Sequence, residues 1–240
     1  SSDLALTLSR MVHFTLFGIP VYIRPSFWVV LAIFGGALSI SSVEDLIYPA
    51  LFVIAGFIAI LSHEMGHALV GRRLGGGQQT IVLELFGGLT SSHGMQLTRG
   101  GRALMILAGP MMTLLLGIIS LWLTWNIVAP VMASHNLDFW DLAISPFTAA
   151  LISPKLYILS CLIMIGEWWT LLNLLPIYPL DGGQLIAQYI RSPRKVFMTG
   201  FITAILIGLL SFQLFHGYFI PIFMALFAYS NYREYKNAPF

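Results

Sequence analysis

Apolar residues run in long blocks along this chain, and basic or glycine-rich breaks separate the blocks. A helix that crosses a bilayer needs about 20 apolar residues, with latitude for tilt. Six blocks approach that length: 25–40, 49–74, 102–129, 156–175, 196–215 and 217–230. The first and last are short, and the last carries Pro221. Tilt, local thinning or a re-entrant path accommodates such spans. The pattern predicts an all-α polytopic membrane protein with about six transmembrane helices.

Two stretches between blocks read differently. Residues 14–24 (FTLFGIPVYIR) suit a short strand or amphipathic edge. Residues 80–92 (TIVLELFGGLTSS) suit a strand, a turn at Gly87-Gly88 and a return strand, because Gly-Gly is a favoured two-residue hairpin connection. Non-helical backbone is tolerated at membrane depth only where protein or water satisfies it. A small membrane-associated β-hairpin or sheet beside a wet interior is therefore expected.

Composition agrees. Only 9% of the 240 residues are charged, 12 Lys+Arg and 10 Asp+Glu, against about 25% in soluble domains. Hydrophobic residues make up 58%, and the mean hydropathy is +0.84. So few charges cannot cover a soluble globule, which argues against a soluble enzyme, a nucleic-acid-binding domain and a disordered chain. A net charge of +2 selects no anionic partner, and one cysteine, Cys161, excludes an internal disulfide or a cysteine-based zinc cluster. Residues 1–24 show no secretory signal, and no repeat or low-complexity linker follows. One membrane domain over 1–240, with core spans at about 49–190, is expected.

Charge placement tests the topology. With the N-terminus cytoplasmic, six spans put Arg10, Arg24, Arg72, Arg73, Arg99, Arg102, Arg191, Arg194, Lys195, Arg233 and Lys236 on the cytoplasmic side. Lys155 alone among the basic residues falls opposite, with Glu44, Asp45, Asp138 and Asp141. This positive-inside bias predicts a multi-pass protein of the cell membrane, with both termini and the basic loops cytoplasmic.

Ionisable residues inside apolar spans are costly and mark function. The second block contains His63-Glu64-Met65-Gly66-His67. Residues i and i+4 share one helix face, so both imidazoles can bind one metal ion, and Glu64 beside them can take a proton from an attacking water. Chance predicts about 0.003 such matches in a chain of this composition. Arg72 and Arg73 mark the cytoplasmic end of this helix, which puts the two histidines about 8–14 Å below it. A hydrolytic zinc takes three protein ligands and keeps one position for water. His93, Glu84, Glu167 and Asp181 are the candidates for the third. Asp181 sits where Pro176 and Pro179 break the fourth block and Gly182-Gly183 let the chain turn. Spacing alone leaves it equally a ligand or the cap of the helix that follows.

The motifs HEMGH (63–67), FGG (86–88), AGP (108–110) and NLLPIYPLDGG (173–183) resemble those of the site-2 protease family of intramembrane zinc metalloproteases. The resemblance covers residues 14 to about 190. It implies one Zn2+ held by His63, His67 and Asp181, Glu64 as the catalytic base, and Asn173 in substrate handling near the scissile bond. It implies regulated intramembrane proteolysis, with a transmembrane-helix substrate such as a membrane-tethered regulator. Where the family often has Asn three residues after the GP pair, this chain has Thr113, and no role is assigned there. The chain resembles the compact branch, with no PDZ-like insertion between spans and no CBS-like tail, so any regulator is expected to be a separate membrane partner.

A helical substrate must unwind before cleavage, and the 80–92 hairpin offers an edge for it to pair with, through Leu83, Leu85, Gly87 and Gly88. The lipid bilayer is a partner and nucleic acid is not. A transporter would want paired repeats and a midplane site. A non-proteolytic relative that binds membrane helices is the other alternative, against which the intact motifs argue. Glu84, His93 and Glu167 remain without an assigned role.

Overall fold

A computed structural model describes residues 11–85, 87–135 and 139–239. Arg10, Phe86 and Asp138, which enter the sequence reading, lie outside the described residues. The chain divides into two compact units, Ser1–Thr170 and Leu171–Phe240.

The first unit opens with strands β1 (Val12–Leu16) and β2 (Ile19–Ile23) and a ten-residue helix α1 (Pro25–Phe34). A 29-residue helix, α2 (Ile47–Gly75), leads to β3 (Gln78–Glu84) and β4 (Gly87–His93). The long helix α3 (Arg99–His135), the short α4 (Phe139–Ile144) and α5 (Pro146–Ala150), and α6 (Pro154–Asn173) follow; α6 runs into the second unit. Pro25 and Pro146 stand in the first turns of their helices, where a missing N–H costs nothing.

Among the described residues, four helical stretches are long and apolar enough to cross a membrane: Glu44–Gly75, Arg99–Ala129, Pro154–Asn173 and Pro193–Leu214. The chain is an integral membrane protein built from these spans. The expected count of six is not reached by this criterion. At 1.5 Å per residue, α1 is about 15 Å long, half a hydrocarbon core. The last helix carries Arg233, Glu234 and Lys236, which shorten its apolar stretch.

The expected hairpin is part of a four-stranded sheet in the order β1-β2-β3-β4. β1 and β2 are antiparallel, β2 and β3 parallel, β3 and β4 antiparallel. The parallel pairing is possible because α1 and α2 supply the crossover between β2 and β3. Gly87 and Gly88 do not form the turn. They open β4, opposite Glu84 and Leu83. β3 alternates buried and half-buried positions, so Ile81 and Leu83 reach the core while Val82 and Glu84 face away. That core joins Ile19, Val21 and Ile23 of β2 to Phe27, Leu31, Ile60, Leu61, Met65 and Ala68. The sheet is also tied to the basic end of α2: Arg72 Nη1 donates to the Phe17 carbonyl at 2.8 Å.

In the second unit, the Pro-broken segment after Asn173 precedes α7 (Asp181–Ala187). Helices α8 (Pro193–Phe215) and α9 (Phe219–Asn237) form its apolar body. Its core contains Ile177 from the broken segment, Ala204 of α8, and Met224 and Ala228 of α9.

Candidate active site

His63, Glu64 and His67 lie in the part of α2 that is buried most continuously, and all three are buried. The small residues of this stretch create the space. A Cβ on Gly66 would collide with the Ala108 carbonyl, so α2 and α3 touch backbone to backbone here. The next residue of α3, Gly109, serves the histidines. A Cβ at Gly109 would strike Nε2 of both imidazoles, the His63 atom at 2.8 Å. The two Nε2 atoms therefore converge on the hollow that the missing side chain leaves.

The ring centroids are 4.8 Å apart, edge to face. His67 Nδ1 lies 2.8 Å from the Met105 carbonyl. A carbonyl only accepts, so Nδ1 carries the proton and the lone pair is on Nε2, the atom facing Gly109. A main-chain carbonyl of this kind sets the tautomer of a metal-binding histidine. Trp169 of α6 walls the site, its ring centroid 6.5 Å from that of His63.

Glu64 is held from another direction. Thr90 of β4 donates its hydroxyl to Glu64 Oε2 at 2.8 Å. Gly88, two residues earlier on the same face of β4, lies so close that a Cβ would collide with the Glu64 carboxyl group. Gly87, at φ +125°, makes room for the Trp169 ring. The glycines expected to make a turn thus let strand β4 lie against a carboxylate and an indole. Leu83 is buried on β3, with β2 on one side and β4 on the other, and its carbonyl accepts from Arg24 N. Leu85 is exposed in the connection. Among the described residues, the open edge next to Glu64 belongs to β4, not β3.

In the second unit, Asn173 ends α6 and is buried. Asp181 is the first residue of α7 and is also buried; the capping position belongs to Leu180. The alternative reading of Asp181 as a helix cap is therefore not what the backbone shows. Its segment is firmly built. The Tyr178–Pro179 bond is cis, and Leu180 N donates to the Ile177 carbonyl at 2.8 Å. Gly182 and Gly183 let α7 pack against the main chain of 174–178. Asn231 of α9 donates to the Tyr178 carbonyl at 2.7 Å.

The open acidic residues sort differently. Glu84 Oε2 pairs with Arg24 Nη1 at 2.8 Å. Both side chains are partly exposed, so the pair contributes about 0–1 kcal/mol. His93, at the exposed end of β4, and Glu167, exposed on α6, are not among the buried residues around His63. Thr113 donates to the Pro110 carbonyl and shares a 2.7 Å hydrogen bond with Thr170, which joins α3 to α6. Sequence reasoning missed Met105 and Thr90, and it marked Gly109 only as part of the AGP motif without a role; these roles depend on which element packs on α2.

Four apolar spans, a small mixed sheet and an HExxH helix with converging Nε2 atoms define a polytopic membrane protein of metallopeptidase type. Residues 51–215 match peptidase family M50, and the chain belongs to that family, the site-2 proteases. A zinc metalloprotease of Methanocaldococcus jannaschii is 27% identical over 90% of this chain and 57% of its own length. A relative from Synechocystis is 29% identical over 73% of this chain and 43% of its own length. The chain thus spans about half the length of these curated relatives. The fold is shared with the solved site-2 protease from Methanocaldococcus jannaschii, with a TM-score of 0.59, 23% identity, and coverage of 94% of this chain and 95% of that one.

Proposed function

We propose that this chain is a zinc metalloprotease that hydrolyses peptide bonds within or near the transmembrane segments of membrane-protein substrates. The observation that carries this reading is the convergence of His63 and His67 Nε2 at Gly109, with Glu64 on the next position of the same buried helix. His63, His67 and Asp181, all buried, are the donor set that suits the metal. Two imidazoles and a carboxylate are a known ligand set for catalytic zinc. Zinc, when bound, supplies Lewis-acid polarisation of the scissile carbonyl and of the attacking water.

The rest falls to the protein. Glu64 takes the proton of the attacking water and returns it to the leaving amine. Asn173 hydrogen-bonds the substrate backbone or the developing oxyanion. The bilayer and the apolar helices keep bulk water away from the site. An unwound substrate segment pairs with the open edge of β4, beside Gly87 and Gly88. Leu85 lies at the mouth of that edge, and Leu83 supports it from the core. The substrate class is a single transmembrane helix, such as that of a membrane-tethered regulator, and a separate membrane partner supplies any control. The chain acts as one membrane domain in the cell membrane, with the basic ends of its helices cytoplasmic.

The test uses purified wild type and Glu64→Gln in detergent with a single-span membrane protein as substrate. Zinc per chain should be equal, and cleavage should fall by at least about 100-fold, the lower range for loss of a general base. Equal cleavage by both proteins would sink the mechanism. An Asp181→Ala protein that keeps full zinc would remove Asp181 from the ligand set.

A further inference from the structure

Side chains alternate along a strand, so Gly88 and Thr90 share one face of β4 and Leu89 takes the other. The face with Gly88 and Thr90 lies on Glu64, and Leu89 is exposed. Glu64 is buried, and a buried carboxylate needs a donor. Among the described residues, that donor is the Thr90 hydroxyl, 2.8 Å from Oε2. The same hydroxyl lies 3.1 Å from the Glu64 main-chain carbonyl. It has one proton for two acceptors, and the shorter contact is the one to the carboxylate.

The terminal torsion of a glutamate is broad and turns easily. A general base works only when its lone pair points at the proton it removes, and about 1 Å of misplacement can cost 100-fold in rate. Gly88 closes one side of the carboxylate and Thr90 binds one of its oxygens, which together select one orientation. We infer that Thr90 is a positioning residue for cleavage: its hydroxyl orients the carboxylate of Glu64. The inference rests on Glu64 being the base. It also makes β4 a shared element, because the strand that orients the base carries the open edge proposed for the substrate.

The experiment compares wild type, Thr90→Val and Thr90→Ser in detergent, with a fusion protein bearing one transmembrane segment that wild type cleaves. Valine keeps the shape of threonine and removes the donor; serine keeps the donor. Thr90→Val should retain wild-type zinc per chain and KM, while kcat falls about tenfold or more. Thr90→Ser should recover kcat to within about threefold of wild type. Wild-type kcat in Thr90→Val overturns the inference. So does a Thr90→Ser protein as slow as Thr90→Val, or a loss confined to KM or to zinc content.

A disturbed β4 is separated from a misdirected base by repeating Thr90→Val in the Glu64→Gln background. With no carboxylate to orient, the residual rate should not change, and a second equal loss would overturn the inference. Wild-type cleavage by Glu64→Gln alone would instead strike the base reading itself. A Glu64→Gln loss with an unaffected Thr90→Val strikes the inference alone.

Discussion

Gly109 and Gly88 are both glycines beside the side chains proposed for catalysis, yet their replacement should have opposite chemical outcomes. A methyl group at Gly109 enters the hollow where the two Nε2 atoms converge. Gly109→Ala should lower zinc per chain in the purified protein, and cleavage with it. A methyl group at Gly88 meets the Glu64 carboxyl group instead. Gly88→Ala should keep zinc and lower kcat by about tenfold or more, through the base alone. Metal analysis of both variants beside a cleavage assay distinguishes the two. The histidines and Glu64 were legible in the sequence because helical geometry alone puts i and i+4 on one face. Met105 and Thr90 were not, and Gly109 was legible only as a motif residue, not in its contact with the histidines. Each acts across 26 residues or more of chain, and no local pattern records what packs against α2.

Elements were read with uneven success, for physical reasons. The long apolar spans were plain, since length and hydropathy are local properties. The hairpin was recognised, but its turn was misplaced, because Gly87-Gly88 is required by close packing against Trp169 and Glu64 rather than by chain reversal. Its open edge was also undetermined until β2 was seen to occupy the far side of β3. The segment after Asn173 shows another dependence on distant chain. Prolines leave its carbonyls without helical partners, and Asn231, 53 residues on, satisfies that of Tyr178. Asn231→Leu should destabilise the protein by about 1–3 kcal/mol, the cost of a buried carbonyl left without its donor. Thermal denaturation in detergent measures it, and an unchanged midpoint would refute the role. If Asp181 is a zinc ligand, the same variant should also bind zinc more weakly.

For the whole molecule, four long spans in place of the six expected carry only part of the charge argument: Arg24, before the first span, and Arg233 and Lys236, after the last, no longer fall with the other basic residues. By alternation along the chain, the breaks at 72–102 and 191–195 are expected on one side of the membrane and Glu44, Asp45 and Lys155 on the other. Cys161 is the only cysteine, so Cys161→Ala provides a background for mapping. Gly100 has open space around it, and Leu151 is exposed. Gly100→Cys should react with a membrane-impermeant thiol reagent only after the cytoplasmic face is opened, and Leu151→Cys in intact cells. The reverse result would invert the proposed orientation.

By itself, the sequence determined that this is a membrane protein, that its HExxH motif lies on a helix apolar and long enough to cross a bilayer, and that its motifs resemble those of the site-2 proteases. These follow from hydropathy, helical period and short motifs, all of which act over a few residues. Tertiary structure decided what local pattern cannot. It made β3 an inner strand and β4 the open one, turned two glycines from a hairpin turn into a close contact, and brought a threonine hydroxyl to the carboxylate of Glu64. Those are consequences of which surfaces pack together, and packing joins residues that the chain keeps far apart.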